Sequence, residues 1–322
     1  MTNKPPSQRS HELVFTLYGD YLRHRVDDVW TGSLISLLAP FGLSAQAVRS
    51  TLSRMSRHGW LAGRRAGRHS YYRLTAKGSR ILDEGEQHLF KPRHEPWDGR
   101  WHIVTYAIPE RSRQLRDRLR QRLTWLGFGH LGPSAWISPY APPPELLGWL
   151  ESAGARKYVD LFTARHDGFG DAHQLVARAW DLQLLNTAYD TFRRTFEPQF
   201  ERDRAGLARG DGLDPADAFV RRFGLTLSFL SFPYVDPHLP DELLPEGWLG
   251  HRAAALFQSY HEALAPRANA FVESALVAAP DLAADQVGPT PTEPRPSGAR
   301  RAARPTGPTG PTRPARAGTR SP

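Results

Sequence analysis

Cysteine is absent from all 322 residues, which removes disulfides, thiolate zinc sites and cysteine nucleophiles together. The omission fits a reducing compartment, where disulfides do not persist. No stretch approaches the roughly 20 apolar residues that a membrane-spanning helix needs. Met1 to Ser10 lack an apolar core, so they do not read as a signal peptide. These absences lead to the expectation of a soluble cytoplasmic protein with no membrane partner. A last absence is local. Between Arg49 and Arg80 there are nine basic residues and no Asp or Glu.

What is present is globular: 40% hydrophobic and 23% charged residues. The length exceeds one ordinary core and leads to an expectation of two or three domains. The net charge of +9 is uneven, with +6 in residues 1–90, −2 in 91–284 and +5 in 285–322. Basic segments are electrostatic footprints for phosphate, although charge alone fits a solvated surface equally well. The stretch from Asp285 onward is rich in Pro, Gly, Thr, Ala and Arg. It cannot bury enough apolar surface to offset chain entropy and reads as a disordered tail over 285–322.

Leu13, Val14, Leu17, Tyr21 and Leu22 recur at helical spacing after Ser10. Thr31 to Leu38 reads as a second helix, stopped by Pro40 and Gly42. Ser44 is placed to cap a third that runs to His58, with Gly59 just beyond its end. Trp60–Arg65 and Ser70–Leu74 read as strands joined around Gly67, and 75–89 is helical again. This is the order of a winged helix-turn-helix over residues 10–90. After a linker at 91–99, strands at Trp101–Ile108, Ala135–Ser138 and Lys157–Phe162 alternate with helices at Ser112–Leu126 and Pro144–Ala153. That succession suggests a ferredoxin-like sandwich over 97–165. Helical patterns at 173–201, 214–231 and 250–279 suggest a helical domain over 172–282. The fold class is therefore α+β.

In the third helix Ala45, Val48, Leu52 and Met55 share one face. Gln46, Ser50, Ser53, Arg54 and Arg57 lie opposite, with Arg49 on the flank. Arg forks onto guanine, Gln onto adenine, and Ser reaches a base or a phosphate. Residues near a reading helix's N-terminus reach bases, which makes Gln46, Arg49, Ser50 and Ser53 candidates for specificity. Arg54 and Arg57 suit the phosphate backbone. The hairpin adds Arg64, Arg65, Arg68 and His69, suited to a narrow groove or its flanking phosphates. By itself such a hairpin is also an ordinary basic surface element.

The run Val29-Trp30-Thr31-Gly32-Ser33-Leu34-Ile35-Ser36-Leu37-Leu38-Ala39-Pro40-Phe41-Gly42 resembles the start of the PaaX family's DNA-binding domain. The likeness continues at Ala47-Val48-Arg49-Ser50, Gly59-Trp60-Leu61 and Ser70-Tyr71-Tyr72-Arg73-Leu74-Thr75. Farther on it is carried by Trp97-Asp98-Gly99-Arg100-Trp101, Arg116-Asp117-Arg118-Leu119-Arg120, Leu126-Gly127-Phe128-Gly129 and Trp136-Ile137-Ser138-Pro139. It ends with Asp236-Pro237-His238-Leu239-Pro240-Asp241-Glu242-Leu243-Leu244-Pro245 and Trp248. The resemblance implies a winged helix, a central Cas2-like domain and a helical C-terminal domain. It further implies a homodimeric repressor of aromatic, phenylacetate-type catabolism genes, bound to double-stranded DNA. An acyl-CoA effector, phenylacetyl-CoA or a related thioester, would release it.

Other chemistry is set aside. A Cas2 nuclease carries a metal-binding Asp within a Tyr-Asp-Ile-Pro-like run; here Tyr106-Ala107-Ile108-Pro109 has alanine at that place. Without that carboxylate a two-metal mechanism loses its anchor. Glu110 reads as a helix N-terminal residue. Alternatives to a repressor are a metal-dependent nucleic-acid enzyme on the central fold and an architectural DNA binder without an effector. Gly127-Phe128-Gly129-His130-Leu131-Gly132 matches a dinucleotide fingerprint formally but follows a helix, and reads as a turn. His166, Asp167, Asp171 and His173 read as a solvated loop rather than a metal site. Trp125, Trp136 and Trp180 read as core anchors, and Arg116, Arg118, Arg120 and Arg122 as a solvated helix face. No metal, resident cofactor or catalytic residue is expected.

Overall fold

The computed structural model describes residues 6–90, 96–209 and 213–277. The proposed tail at 285–322 and residues 91–95 of the linker lie outside the described residues. The N-terminal part runs α1 (Pro6–Leu17), β1 (Val29–Trp30), α2 (Thr31–Leu38), α3 (Ala45–Arg57), β2 (Leu61–Ala66), β3 (His69–Leu74) and α4 (Ala76–Phe90). Its sheet has the order β1-β3-β2, all antiparallel. Two details differ from the sequence reading. The first helix starts at Pro6 and passes into a π-turn over Tyr18–Leu22, and β1 is too short for a periodicity signal. A π-turn widens the helix by one residue and rotates the chain beyond it, an arrangement that often marks functional positions.

The wing is tighter than expected. Ala66 pairs with His69, so the loop is only Gly67 and Arg68. Gly67 sits at φ +56, the left-handed backbone that a two-residue hairpin needs at its first position.

The central part is β4 (Trp101–Tyr106), α5 (Arg113–Trp125), β5 (Gly129–Gly132), β6 (Ala135–Ser138), α6 (Pro144–Ser152) and β7 (Val159–Ala164). The sheet order β5-β6-β4-β7, antiparallel throughout, is the ferredoxin-like arrangement. β5 corrects the reading of 127–132 as a turn. Gly127 turns the chain at φ +80, and 129–132 then pair with β6. Two glycines in four residues hid the strand. Val104 and Tyr106 of β4 face Leu119, Leu123, Leu146 and Leu150 of α5 and α6. The other face, with Trp101 and Ile137, is covered by Leu175 and Val176 of α7 (Ala172–Ala179). Trp136 and Trp180 belong to these cores, but Trp125 is 37% exposed and packs against Tyr234 at 5.1 Å between ring centroids.

The expected helix at 173–201 is two. Trp180 is extended (φ −134, ψ 143) and ends α7, and Asp181 then caps α8 (Leu182–Arg209) through the Leu184 amide at 3.0 Å. α9 (Pro215–Phe229) and α10 (Gly250–Val277) follow. One hydrophobic cluster joins α1–α3 to these C-terminal helices. Tyr21 meets Phe219 at 5.2 Å, and Phe41 meets Phe223 at 4.4 Å. The N-terminal helices are thus seated on α9 and α10 rather than tethered to them. Among the described residues no single helix is long and apolar enough to cross a membrane.

Candidate nucleic-acid interface

α3 starts where Ser44 accepts a hydrogen bond from the Ala47 amide at 3.2 Å and stops before Gly59 at φ +71. Val48, Thr51, Leu52 and Met55 are fully buried, which holds the helix to its domain by one side. Gln46, Arg49, Ser50, Ser53 and Arg57 are all exposed. Arg54 is half-buried and donates to Ser50 Oγ and Thr51 Oγ1, both at 3.0 Å. It therefore braces the exposed face of α3 and orders the Ser50 hydroxyl. Ser56 ties the helix to the wing by donating to the Leu61 carbonyl at 3.0 Å.

On the wing, Arg65, Arg68 and Arg73 are exposed and His69 is half-buried against Trp30. Arg68 donates to His69 Nε2 at 3.3 Å. Arg64 is differently placed. Its Nε donates to Asp28 Oδ2 at 3.0 Å, and its guanidinium lies 5.1 Å over the Tyr71 ring. Part of its charge is spent inside the domain. The acid-free run from 49 to 80 concealed this, because Asp28 arrives from outside the run through the β1–β3 pairing.

Burial, then the charges of Arg54 and His58, hold the His11 imidazole below its ordinary value. At the base of the wing Lys77 donates to the His58 carbonyl at 2.9 Å, and Thr75 Oγ1 to the Gly59 carbonyl at 2.6 Å. Gly78 presses its α-carbon on the Trp60 carbonyl so closely that a Cβ would lie 2.2 Å from that oxygen. Together these contacts lock α4, the wing and the end of α3 into one unit.

Sequence reasoning missed the anchor behind this unit. Asp20, in the π-turn, accepts from Thr226 Oγ1 of α9 at 3.0 Å. It also meets His261 Nε2 of α10 at 3.1 Å, with Arg222 at 3.6 Å. Burial alone would raise the Asp20 carboxyl, but the His261 hydrogen bond and the Arg222 charge outweigh it and hold the carboxyl below its usual range. Two residues earlier, Tyr18 donates to the Tyr72 carbonyl of the wing strand at 2.9 Å. The π-turn thus grips the wing on one side and the C-terminal helices on the other. Only Gly19-Asp20 within an apolar helix hinted at it.

Ala107 follows β4, exposed, and gives its amide to the Tyr158 carbonyl at 2.8 Å. Glu110 opens a short helical turn and pairs with Arg116 at 2.9 Å. Asp171 caps α7 through the Gln174 amide at 2.9 Å. Among the described residues no group of three or more His, Asp or Glu is arranged to hold a metal. A cleft of about 600 Å³ opens between Tyr18, Arg23, Arg73 and Ser79, and one of about 350 Å³ between Trp97, Trp101, Arg165 and Asp171.

Known proteins resemble the chain along most of its length. Residues 9–78 match the family model described as PaaX-like protein, 94–176 that of the PaaX protein central Cas2-like domain, and 180–274 that of the PaaX-like protein C-terminal domain. A curated relative from Escherichia coli (strain K12), "Transcriptional repressor PaaX", is 35% identical over 263 residues, which cover 81% of this chain and 82% of that one. Among solved structures, the uncharacterized protein Rv0674 from Mycobacterium tuberculosis aligns with a TM-score of 0.52 at 24% identity. That alignment covers 81% of this chain and 97% of the other, and at that identity it supports the shared fold.

Proposed function

The chain belongs to the PaaX family, and from that premise we propose that it is a cytoplasmic, non-enzymatic transcriptional repressor of phenylacetate-type catabolism genes. Residues 10–90 form its DNA-binding domain, 97–165 its Cas2-like domain, 172–282 its helical domain and 285–322 a basic tail. It binds a near-palindromic operator as a homodimer, and an acyl-CoA effector, phenylacetyl-CoA or a related thioester, shifts it to a state that fits DNA poorly. Neither a metal nor a resident cofactor takes part.

One observation carries this reading: a serine-capped helix whose exposed side is Gln46, Arg49, Ser50, Ser53 and Arg57, without a carboxylate to repel phosphate. Gln46, Arg49, Ser50 and Ser53 read bases, while Arg57, Arg65 and Arg68 hold phosphates. Arg54 and His69 orient their neighbours Ser50 and Arg68, and Arg64 contributes from its place beside Asp28.

The test is an operator gel shift on genomic fragments selected by the protein itself. Arg49→Ala weakens specific binding by about 1–3 kcal/mol if Arg49 reads a base. Unchanged affinity in both Arg49→Ala and Ser50→Ala removes the assignment. A panel of acyl-CoA thioesters added to the wild-type complex releases it under this reading. A complex indifferent to every thioester is instead that of an architectural binder.

A further inference from the structure

β7 is the last strand of its sheet, and its inner side is taken up by a six-residue ladder with β4. Its outer edge has no strand partner among the described residues. The opposite edge of the same sheet is treated quite differently. β5 lies under α7 and Trp180, so closely that a Cβ on Gly129 would meet the indole at 2.5 Å, and its register is broken by a bulge. Covering and bulging are the usual devices that stop a sheet edge from recruiting another strand. Among the described residues β7 has neither, and its own sequence contains no proline, lysine or arginine.

Asp160, Leu161, Phe162 and Thr163 are all exposed, Leu161 at 41% and Phe162 at 53%. Alternation sends these two apolar side chains to opposite faces of the sheet. Leu161 stands beside the buried Val104 on the α5–α6 side, and Phe162 beside Ile103 on the other. Both faces of the strand therefore end in unburied hydrocarbon that continues an existing core.

We propose that this edge pairs with β7 of a second copy of the chain, antiparallel about a two-fold axis at Phe162. Self-complementarity points to a second copy as the occupant and, of the two exposed apolar residues, to Phe162 rather than Leu161 as the centre. Residues opposed in an antiparallel pair share a face, so the axis passes through a residue rather than between two. Centred on Phe162, the pairing sets Phe162 against its twin, Leu161 across from Thr163, and Asp160 across from Ala164, next to Arg165. No like charges meet. Centred on Leu161, it sets Asp160 across from Phe162 and brings Lys157 toward Arg165 of the other copy, two cations together. Pairing joins two four-stranded sheets into one of eight and removes the open edge. The proposal deepens the two-fold operator reading above. Its test contains no DNA: a dimer that survives change at Phe162 removes this interface and leaves the operator reading standing, whereas a monomeric wild type removes the two-fold part of both.

The cysteine-free chain makes that test clean. Directly opposed α-carbons in an antiparallel pair lie about 4.5–5.5 Å apart, within the roughly 4.4–6.8 Å span of a disulfide. Oxidised Phe162→Cys therefore runs as a covalent dimer on a non-reducing gel. Leu161→Cys does not, because its twins are offset by two residues on each side of a pair and lie about 8 Å apart, beyond reach. In light scattering the wild type is a dimer, and Phe162→Glu raises the dissociation constant by about tenfold or more with an unchanged circular dichroism spectrum. Cross-linking of Leu161→Cys in preference to Phe162→Cys overturns the register. A monomeric wild type, or a Phe162→Glu protein that remains as dimeric as wild type, overturns the interface.

Discussion

Replacing Asp20 by alanine tests how the reading head is joined to the rest of the molecule. The carboxylate is 17% exposed, accepts from Thr226 at 3.0 Å, meets His261 at 3.1 Å and faces Arg222 at 3.6 Å. Removing one partner of a buried ion pair costs about 3–5 kcal/mol, because the other charge is left stranded. Arg222 keeps its bond to the His261 carbonyl at 3.1 Å and its seat 4.7 Å over the Tyr21 ring. The expected loss is therefore at the low end, about 3 kcal/mol. Set against a typical stability of roughly 5–15 kcal/mol, that is a large change. It corresponds to a melting temperature lower by about 4–5 °C for a cooperative chain of this size, at roughly 2.1 cal/mol/K of unfolding entropy per residue.

Calorimetry of Asp20→Ala, Arg222→Met and the double variant closes a thermodynamic cycle. The double variant recovers most of the loss, since no charge is then buried alone. Operator affinity falls with Asp20→Ala as well, because Tyr18 of the same π-turn holds the wing at Tyr72. A loss below about 1 kcal/mol in Asp20→Ala, or strict additivity in the cycle, refutes the buried-pair account.

Acid should act on the same residue. The folded Asp20 carboxyl is held below its ordinary value, so its stabilisation is complete above about pH 4, the unfolded value, and fades as pH falls through the lower folded value. The stability gap between wild type and Asp20→Asn accordingly narrows below about pH 4 in denaturant titrations; a constant gap contradicts this. For the wing, Arg68→Ala lowers the slope of log affinity against log salt by about 0.9, as loss of one phosphate contact requires. Arg64→Ala changes that slope less, because Asp28 already claims its charge, and equal slopes for the two variants count against that division. Gly78→Ala forces a methyl against the Trp60 carbonyl and costs about 1–3 kcal/mol, read as a lower melting temperature. An unchanged melt shows that α4 is free to shift.

The sequence by itself determined the faces of α3. Side-chain direction in a helix follows from position every 100°, so Val48, Leu52 and Met55 inward and Arg49, Ser50 and Arg57 outward needed no tertiary information. Ser44, Gly59 and Gly67 were legible for the same reason, since caps and turns are settled within four residues. The π-turn, the strand hidden in Gly129–Gly132 and the break at Trp180 escaped because each depends on what lies against it. Only the tertiary structure decided that Asp28 claims Arg64, and that Asp20 finds Thr226 and His261 more than two hundred residues away. It also decided which edge of the central sheet has no strand partner among the described residues. Periodicity records which side of an element is buried; the identity of the group on the other side is set by chain topology, which no local pattern encodes.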